Sequence, residues 1–219
     1  GIAGLIVKVL GAFYRIPLSN MIGSEGMGYY QTAYPLYTLL VAISTSGFPT
    51  AIAKIVAEKR ALYDFRGAHR VFRISFLGFL AAGVITSLFV FFTAKQIVAA
   101  VGNSQAYYSL IAMTPALFFV PIMSAFRGYF QGRQTMTPTA MSQLIEQLFR
   151  VAIGLFLAYQ LVGIGLPEAA GGASFGASAG AIAGTILIVI IYIKEKGKIA
   201  EEVNSSSVSK PETVGKIVK

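Results

Sequence analysis

Long apolar segments alternate with short polar connections along this chain. Six of the segments are about 20 residues long, which is the length that an α-helix needs to cross a hydrocarbon core of about 30 Å. They lie at residues 2–22, 29–53, 71–92, 106–126, 138–162 and 172–193. The pattern predicts an all-α polytopic membrane protein in which residues 1–193 form a six-helix transmembrane lobe.

The sequence changes character after the sixth segment. Residues 194–219 are rich in charge and serine, which is typical of a solvated linker or of the approach to another helix. Six spans return the chain to the side on which it began, so a second half would share its orientation, as in transporters with parallel repeats. We therefore expect one lobe of a two-lobe transporter, followed by a cytoplasmic linker toward a second lobe.

Composition agrees with a membrane protein and excludes several kinds of site. The chain is 55% hydrophobic and only 12% charged, with a mean hydropathy of +0.68. It has no cysteine and a single histidine, His69, which excludes disulfides, thiolate metal sites and a multi-histidine metal centre. The net charge of +9 does not indicate nucleic acid as a partner, because most basic residues lie in short loops beside apolar spans.

Basic residues are concentrated on one side of the predicted membrane. The stretch 54–73 holds six of them, the turn 127–133 holds two and the tail from residue 194 holds six lysines, whereas the opposite connections hold only Lys95. The positive-inside rule then places these loops and both ends of the chain in the cytoplasm. We expect a multi-pass protein of the cell membrane with this orientation.

A cationic stripe runs along the first apolar segment. Gly4, Lys8, Gly11, Arg15 and Ser19 recur at spacings of three or four residues, which keeps them on one face of a helix. A charged side chain in such a segment costs roughly 2.5–3.5 kcal/mol, and it is tolerated where it faces a bundle interior or an aqueous cavity. The planar guanidinium of Arg15 matches phosphate oxygens, so the stripe predicts a phosphate-bearing amphiphile as the substrate.

A polar face also follows the second apolar segment. One row recurs every three or four residues and consists of Gln31, Pro35, Thr38, Ala42, Thr45 and Pro49, with Tyr30, Tyr34, Tyr37 and Ser44 in the adjacent row. Pro35 and Pro49 each remove an intrahelical hydrogen bond, so the helix should bend, especially at 46–49. The pattern is compatible with a kinked helix packed by hydroxyl groups and with a gating helix that lines a polar cavity.

Three charged residues of the fourth and fifth segments are candidates for gating or ion coupling. Arg127 occupies the position of an interfacial anchor, with a gate contact as the alternative. Glu146 and Arg150 are four residues apart in the order that favours pairing, although an intramembrane carboxylate can also exchange a proton or bind a cation.

Glycines recur at every fourth position of the sixth segment, at Gly172, Gly176, Gly180 and Gly184. Such a row lets another backbone approach closely, so we interpret it as a packing motif without chemistry. The sequence shows no catalytic set, zinc signature or phosphate-binding loop, and we expect no enzymatic activity and no metal or other cofactor.

Five motifs of this chain resemble those of one family. They are 10–18 (LGAFYRIPL), 22–31 (IGSEGMGYYQ), 47–54 (GFPTAIAK), 127–132 (RGYFQG) and 136–143 (MTPTAMSQ). The chain closely resembles stage V sporulation protein B-like members of the polysaccharide exporter family. These are relatives of the MurJ-type lipid II flippases in the multidrug/oligosaccharidyl-lipid/polysaccharide superfamily. The resemblance covers nearly all of residues 1–200 and corresponds to the N-terminal half of such proteins.

The resemblance implies two lobes around a central cationic cavity. It further implies alternating access that moves a lipid-linked peptidoglycan or polysaccharide precursor outward across the bacterial cytoplasmic membrane. The family's first-helix arginine carries over to Arg15. Where MurJ-type flippases have a further arginine late in the first helix, this chain has Asn20, and the uncharged stretch 42–45 replaces arginines of the second helix. The cavity is then less cationic, and Lys8 would compensate in part.

The sequence patterns and the family resemblance together predict two groups of site residues. The predicted substrate-binding residues are Lys8, Arg15, Asn20, Gln31, Tyr34, Ser44 and Thr45. The predicted gating or ion-coupling residues are Pro49, Arg127, Glu146 and Arg150.

Two other functions stay open beside the flippase. One is a multidrug/cation antiporter of the multidrug extrusion type, although such proteins favour acidic cavity residues. The other is a non-transporting scaffold for cell-envelope assembly, with the stripe paired to lipid headgroups. For the flippase, the expected partners are a lipid-linked anionic glycan precursor, membrane lipids and the C-terminal half of the same protein. A proton or coupling-cation gradient is the expected energy source.

Overall fold

The computed structural model of the chain describes residues 2–45 and 47–205, with the side chains of residues 2–4, 7 and 8 outside the description. In this part of the chain there are six α-helices, one short 3-10 helix and no strand. They are α1 (Ile2–Thr45), α2 (Phe48–Ala61), α3 (Phe65–Ala100), the 3-10 helix (Ser104–Ala106), α4 (Tyr107–Gly132), α5 (Thr137–Leu161) and α6 (Leu166–Ser205). Helices satisfy their backbone hydrogen bonds internally, which an apolar segment in lipid requires. The predicted all-α membrane fold is confirmed.

Helix α1 is a hairpin of two helical segments. Gly23 has φ 65° and ψ −173°, a conformation that side chains with a Cβ rarely adopt, and it interrupts the helix. The rings of Tyr14 and Tyr30 lie 6.3 Å apart, although 16 residues of straight helix would separate them by about 24 Å. The segments 2–22 and 24–45 therefore run back along each other. The predicted segments 2–22 and 29–53 leave residues 23–28 as the connection between them, but only Gly23 leaves the helical conformation.

The second predicted span, 29–53, is divided near its end. Helix α1 ends at Thr45, Gly47 has φ 73°, and α2 begins at Phe48. The bend expected there is confirmed, but its cause differs, because Pro49 lies in the first turn of α2, where a missing N–H costs no helical hydrogen bond. Pro35 lies inside α1 without interrupting the helix.

Five helical stretches of the described residues are long and apolar enough to cross a membrane. The first, Val9–Ala61, has 53 residues and contains both glycine breaks. As one straight helix it would be about 80 Å long, so the hairpin accounts for two of the six predicted spans. Three of the four others contain a predicted segment and extend beyond it, whereas Thr137–Leu161 matches the predicted segment 138–162 to within one residue at each end. Residues 194–205 continue α6, whereas 206–219 lie outside the described residues, so the division into lobe and linker stays an expectation.

The core of the lobe is built from α4, α5 and α6. Pro115 removes a backbone N–H from α4 and disturbs the preceding turn. Ser178 of α6 compensates, because its hydroxyl donates to the carbonyl oxygen of Ala112 (2.6 Å) and accepts from the N–H of Ala116 (3.2 Å). The small side chain of Ser178 thus allows close packing and satisfies the backbone that proline opened.

Candidate functional site

A groove of about 470 Å³ lies between the α1 hairpin and α5. It is lined by Gly11, Ala12, Tyr14, Arg15, Tyr30, Tyr34, Gln147 and Arg150. Gly11 lies opposite Gln147, and a Cβ at this position would be in ordinary van der Waals contact with Nε2 of Gln147, at 3.5 Å. The groove brings together two arginines, three tyrosines and one amide side chain.

The tyrosines are positioned by the hairpin at Gly23. The first segment of α1 carries Tyr14, whose hydroxyl donates to the carbonyl oxygen of Ala173 on α6 (2.9 Å). The returning segment carries Tyr30 and Tyr34, one turn apart, with their rings stacked at 5.6 Å. Because the hairpin aligns both segments, the three rings form one wall of the groove.

Arg15 is exposed in the groove. Its side chain forms no hydrogen bond or ion pair within the part of the chain that the structure describes. Arg150 lies deeper, with its side chain 18% exposed, and it lines the groove beside Tyr30 and Tyr34. The Nε of Arg150 is buried without a hydrogen-bond partner in the described structure. Arg15 therefore retains hydrogen-bonding capacity for a ligand, whereas Arg150 contributes positive charge to the groove.

Glu146 links Arg150 to a second arginine outside the groove lining. Its Oε1 accepts from Nη2 of Arg150 (3.2 Å) and its Oε2 accepts from Nη2 of Arg127 (2.9 Å). Nε of Arg127 also donates to the hydroxyl of Ser142 (2.8 Å). The side chain of Arg127 is only 14% exposed, so it is a partly buried ion-pair partner of Glu146 rather than an interfacial anchor that extends to the membrane surface. With two cations and one anion, the group carries a net charge of +1.

The predicted substrate-binding residues are only partly brought together. Arg15 and Tyr34 line the groove, whereas Asn20 and Gln31 are exposed outside its lining. The hydroxyls of Ser44 and Thr45 donate to carbonyl oxygens of their own helix, at 2.8 and 2.7 Å. Ser44 instead lines a separate cavity of about 300 Å³ between α1, α2 and α3. The side chain of Lys8 lies outside the described residues.

Four lining residues with polar side chains were not among the predicted substrate-binding residues, namely Tyr14, Tyr30, Gln147 and Arg150. Tyr14 lies among apolar residues of the first segment, Tyr30 lies in the row beside the predicted polar face of the second segment, and Arg150 was predicted for gating or ion coupling rather than for substrate binding. The spacing from Gln147 to Arg150 does place both on one helical face. What the sequence lacked was the hairpin geometry at Gly23, which brings that face opposite Arg15.

Comparison with known proteins gives consistent matches. The sequence model of the family described as "Polysaccharide biosynthesis protein" matches residues 1–217. Three relatives from Bacillus subtilis (strain 168) match over most of this chain. Stage V sporulation protein B is 35% identical over 173 residues, 78% of this chain and 33% of that protein. Lipid II flippase MurJ is 34% identical over 206 residues, 89% of this chain and 38% of that protein.

The third relative, uncharacterized membrane protein YabM, is 33% identical over 197 residues, 90% of this chain and 36% of that protein. The chain thus spans about a third of the length of these relatives. No solved structure matches the chain. Since the family match extends over nearly all of its length, this multi-pass membrane protein belongs to the polysaccharide biosynthesis protein family.

Proposed function

We propose that this chain forms a substrate-binding lobe of a flippase. The flippase would move a lipid-linked peptidoglycan or polysaccharide precursor across the bacterial cytoplasmic membrane. The groove between the α1 hairpin and α5 carries the proposal, because Arg15 and Arg150 face one open space beside three tyrosine rings. Guanidinium groups bind phosphate oxygens with charge-assisted hydrogen bonds. The name of one relative, lipid II flippase MurJ, and the description of the family as polysaccharide biosynthesis proteins support this substrate class.

The groove suits the polar part of such a substrate. Its volume of about 470 Å³ lies within the range of about 300–1,000 Å³ that is common for ligand sites. Arg15, which has no ion-pair partner among the described residues, supplies a cation at the surface, and Arg150, which is paired with Glu146, supplies a second cation at depth. A phosphate group would bind between them while its sugars contact tyrosine rings, and the lipid tail would stay in the bilayer. The C-terminal half of the same protein is the proposed opposite wall.

Alternating access would proceed without a chemical step. Both segments of α1 form one wall of the groove and α5 forms the other. Helix α5 belongs to the closely packed unit of α4, α5 and α6, so we propose that the α1 segment 24–45 moves against this unit about Gly47. The basic loops place both ends of the chain in the cytoplasm under this proposal.

A cation antiporter is less well supported. Its coupling would need a carboxylate with free oxygen atoms in the membrane region. Each oxygen of Glu146 accepts a hydrogen bond from an arginine, and the group as a whole is cationic. A cation would therefore compete against two guanidinium groups for this carboxylate.

The test is the substitution Arg15→Ala in the full-length protein, reconstituted into lipid vesicles with fluorescent lipid II. Translocation should fall at least about ten-fold, because charge-assisted hydrogen bonds contribute roughly 1.5–3 kcal/mol. Arg15→Lys should give an intermediate rate, since an ammonium group keeps the charge but lacks the planar fork. Lys54→Ala removes an equal charge at an exposed position and should leave the rate unchanged.

Normal translocation by correctly inserted Arg15→Ala would contradict the proposed phosphate contact. A protein that translocates no lipid in its native form, yet still supports envelope assembly in cells, would instead favour a scaffold. Export of a cationic drug by the native protein, unaffected by Arg15→Ala, would favour the antiporter.

A further inference from the structure

A second cluster of cations lies at the beginning of α3, on residues that do not line the groove. Arg66, Arg70 and Arg73 recur at four and three residues, which keeps them on one helical face, and all three are exposed. Nε of Arg66 donates to the carbonyl oxygen of Val203 on α6 (3.3 Å). Arg70 and Arg73 have no hydrogen-bond or ion-pair partner among the described residues. The positive charges of Arg70 and Arg73 are therefore not neutralised by an ion pair among the described residues.

Two acidic side chains that adjoin this region are already engaged elsewhere. Asp64 accepts from the N–H of Gly67 (2.8 Å) and pairs with Lys59 (3.2 Å), and these contacts hold the pKa of Asp64 below its usual value. The carboxylate of Glu202 is shared by Arg60 (2.6 Å) and Arg133 (2.9 Å). Neither carboxylate neutralises Arg70 or Arg73.

Two cavities adjoin at this cluster, because His69 and Arg73 line both of them. The first has a volume of about 350 Å³ and is otherwise lined by Arg66, Arg70 and Val203. The second has a volume of about 390 Å³ and is otherwise lined by Phe72, Phe76, Phe126, Tyr192, Ile193 and Lys196. Together they form a depression between α3 and α6, which we call the α3–α6 depression. The end formed by the first cavity is lined by arginines, and the end formed by the second cavity is lined mainly by aromatic side chains.

This arrangement matches an amphiphile with one anionic group. Guanidinium groups bind phosphate, and aromatic and aliphatic side chains offer apolar surface to an acyl chain. Basic pockets between transmembrane helices on the cytoplasmic side commonly bind anionic lipid headgroups. We propose that the α3–α6 depression binds an anionic phospholipid of the surrounding membrane, at a site separate from the substrate groove. The phosphate lies against Arg70 and Arg73, and one acyl chain lies along Phe76 and Ile193.

The test measures lipid retention by the purified full-length protein with native mass spectrometry. The probes are phosphatidylglycerol, phosphatidylcholine with the same acyl chains, and glycerol 1-phosphate as the headgroup alone. Phosphatidylglycerol should bind best. The double variant Arg70→Gln/Arg73→Gln should weaken its binding by about five-fold for each arginine removed, while phosphatidylcholine binding changes little. The single variant Arg73→Gln should show about half of this effect on a logarithmic scale. It keeps the test possible if the double variant does not fold.

The control is the double variant Lys54→Gln/Lys95→Gln, which removes the same charge at exposed positions outside the depression. It should bind phosphatidylglycerol as the native protein does, and so should Arg15→Ala. An equal loss of phosphatidylglycerol binding in this control would mean that the lipid responds only to the total charge of the protein, and it would overturn the proposed site. Equal binding of glycerol 1-phosphate would overturn the role of the aromatic end. Loss of phosphatidylglycerol binding in Arg15→Ala would place the lipid in the substrate groove and also overturn the proposal.

Discussion

Glu146 holds two arginines together inside the lobe, and this contact determines what each of the three side chains can do. The side chains of Arg127, Glu146 and Arg150 are 14%, 16% and 18% exposed. Removing water from charged groups is costly, and their mutual attraction and hydrogen bonds offset that cost. Arg150 can face the groove because its charge is balanced from behind by Glu146. Glu146 therefore positions Arg150 toward the groove and balances part of the positive charge of the two arginines.

We predict that Glu146→Gln strongly destabilises the protein. The substitution leaves the charges of Arg127 and Arg150 uncompensated, and breaking a buried pair typically costs about 3–5 kcal/mol. Thermal unfolding in detergent measures the effect. The double variant Arg127→Met/Glu146→Gln restores the net charge of the group and should recover part of the lost stability.

An exposed ion pair provides the comparison for this prediction. Lys54 and Glu58 are also four residues apart and lie 3.9 Å from each other, but their side chains are 77% and 60% exposed. Glu58→Gln should therefore change stability by no more than about 1 kcal/mol. If Glu146→Gln is equally mild, water screens the two arginines and the charge balance is not structural.

At the scale of the helices, the glycine row of α6 determines how closely α5 can approach. A Cβ at Gly176 would collide with the carbonyl oxygen of Arg150 and lie 2.9 Å from Cα of Gly154. A Cβ at Gly180 would collide with the carbonyl oxygen of Glu146. These neighbours are backbone atoms, which cannot move away by a change of rotamer. The contact also fixes α5, which carries one wall of the groove.

We predict that Gly176→Ala lowers the amount of folded protein and its stability by about 1–3 kcal/mol, the usual cost of overpacking. Gly197→Ala, on the same helix, is the matched control because a Cβ there has nothing within 4 Å. It should be neutral or stabilising by up to about 1 kcal/mol, since alanine favours helix. The amount of monomeric protein after detergent extraction and its thermal unfolding measure both. Equal behaviour of the two variants would mean that the helices can separate without cost.

The sequence predicted the individual helices better than it predicted the contacts between them. The apolar segments, the glycine row and the break before Phe48 follow from local rules of length, size and backbone conformation, and these are present in the structure. The position of Arg127 did not follow, because its partner Glu146 lies 19 residues away on another helix. The groove likewise depends on a single conformation at Gly23, which composition and periodicity do not encode.

At the scale of the whole lobe, α2 and α4 are packed against each other, whereas an open groove lies between the α1 hairpin and α5. Helix α2 is packed directly on α4, since a Cβ at Gly128 would lie 2.8 Å from the carbonyl oxygen of Pro49, and Gly132 similarly faces Ala53 and Val56. The α1 segment 24–45, which precedes the break at Gly47, faces α5 across the open groove. Motion about Gly47 would then move segment 24–45 relative to α2 and the unit that holds it.

We predict that Gly47→Ala shifts the balance between two access states, whereas Pro49→Ala does not. A left-handed conformation costs a residue with a Cβ about 1–2 kcal/mol, so alanine favours any state in which the break straightens, by about five-fold or more. Pro49 lies in the first turn of α2 and withholds no helical hydrogen bond. The reporter is Ser44→Cys in this cysteine-free chain, because Ser44 is 8% exposed and lines the cavity beside the break. Its maleimide labelling in the full-length protein should become several-fold faster with Gly47→Ala. Unchanged labelling would mean that position 47 keeps the same backbone conformation in both states, so that the motion has its pivot elsewhere.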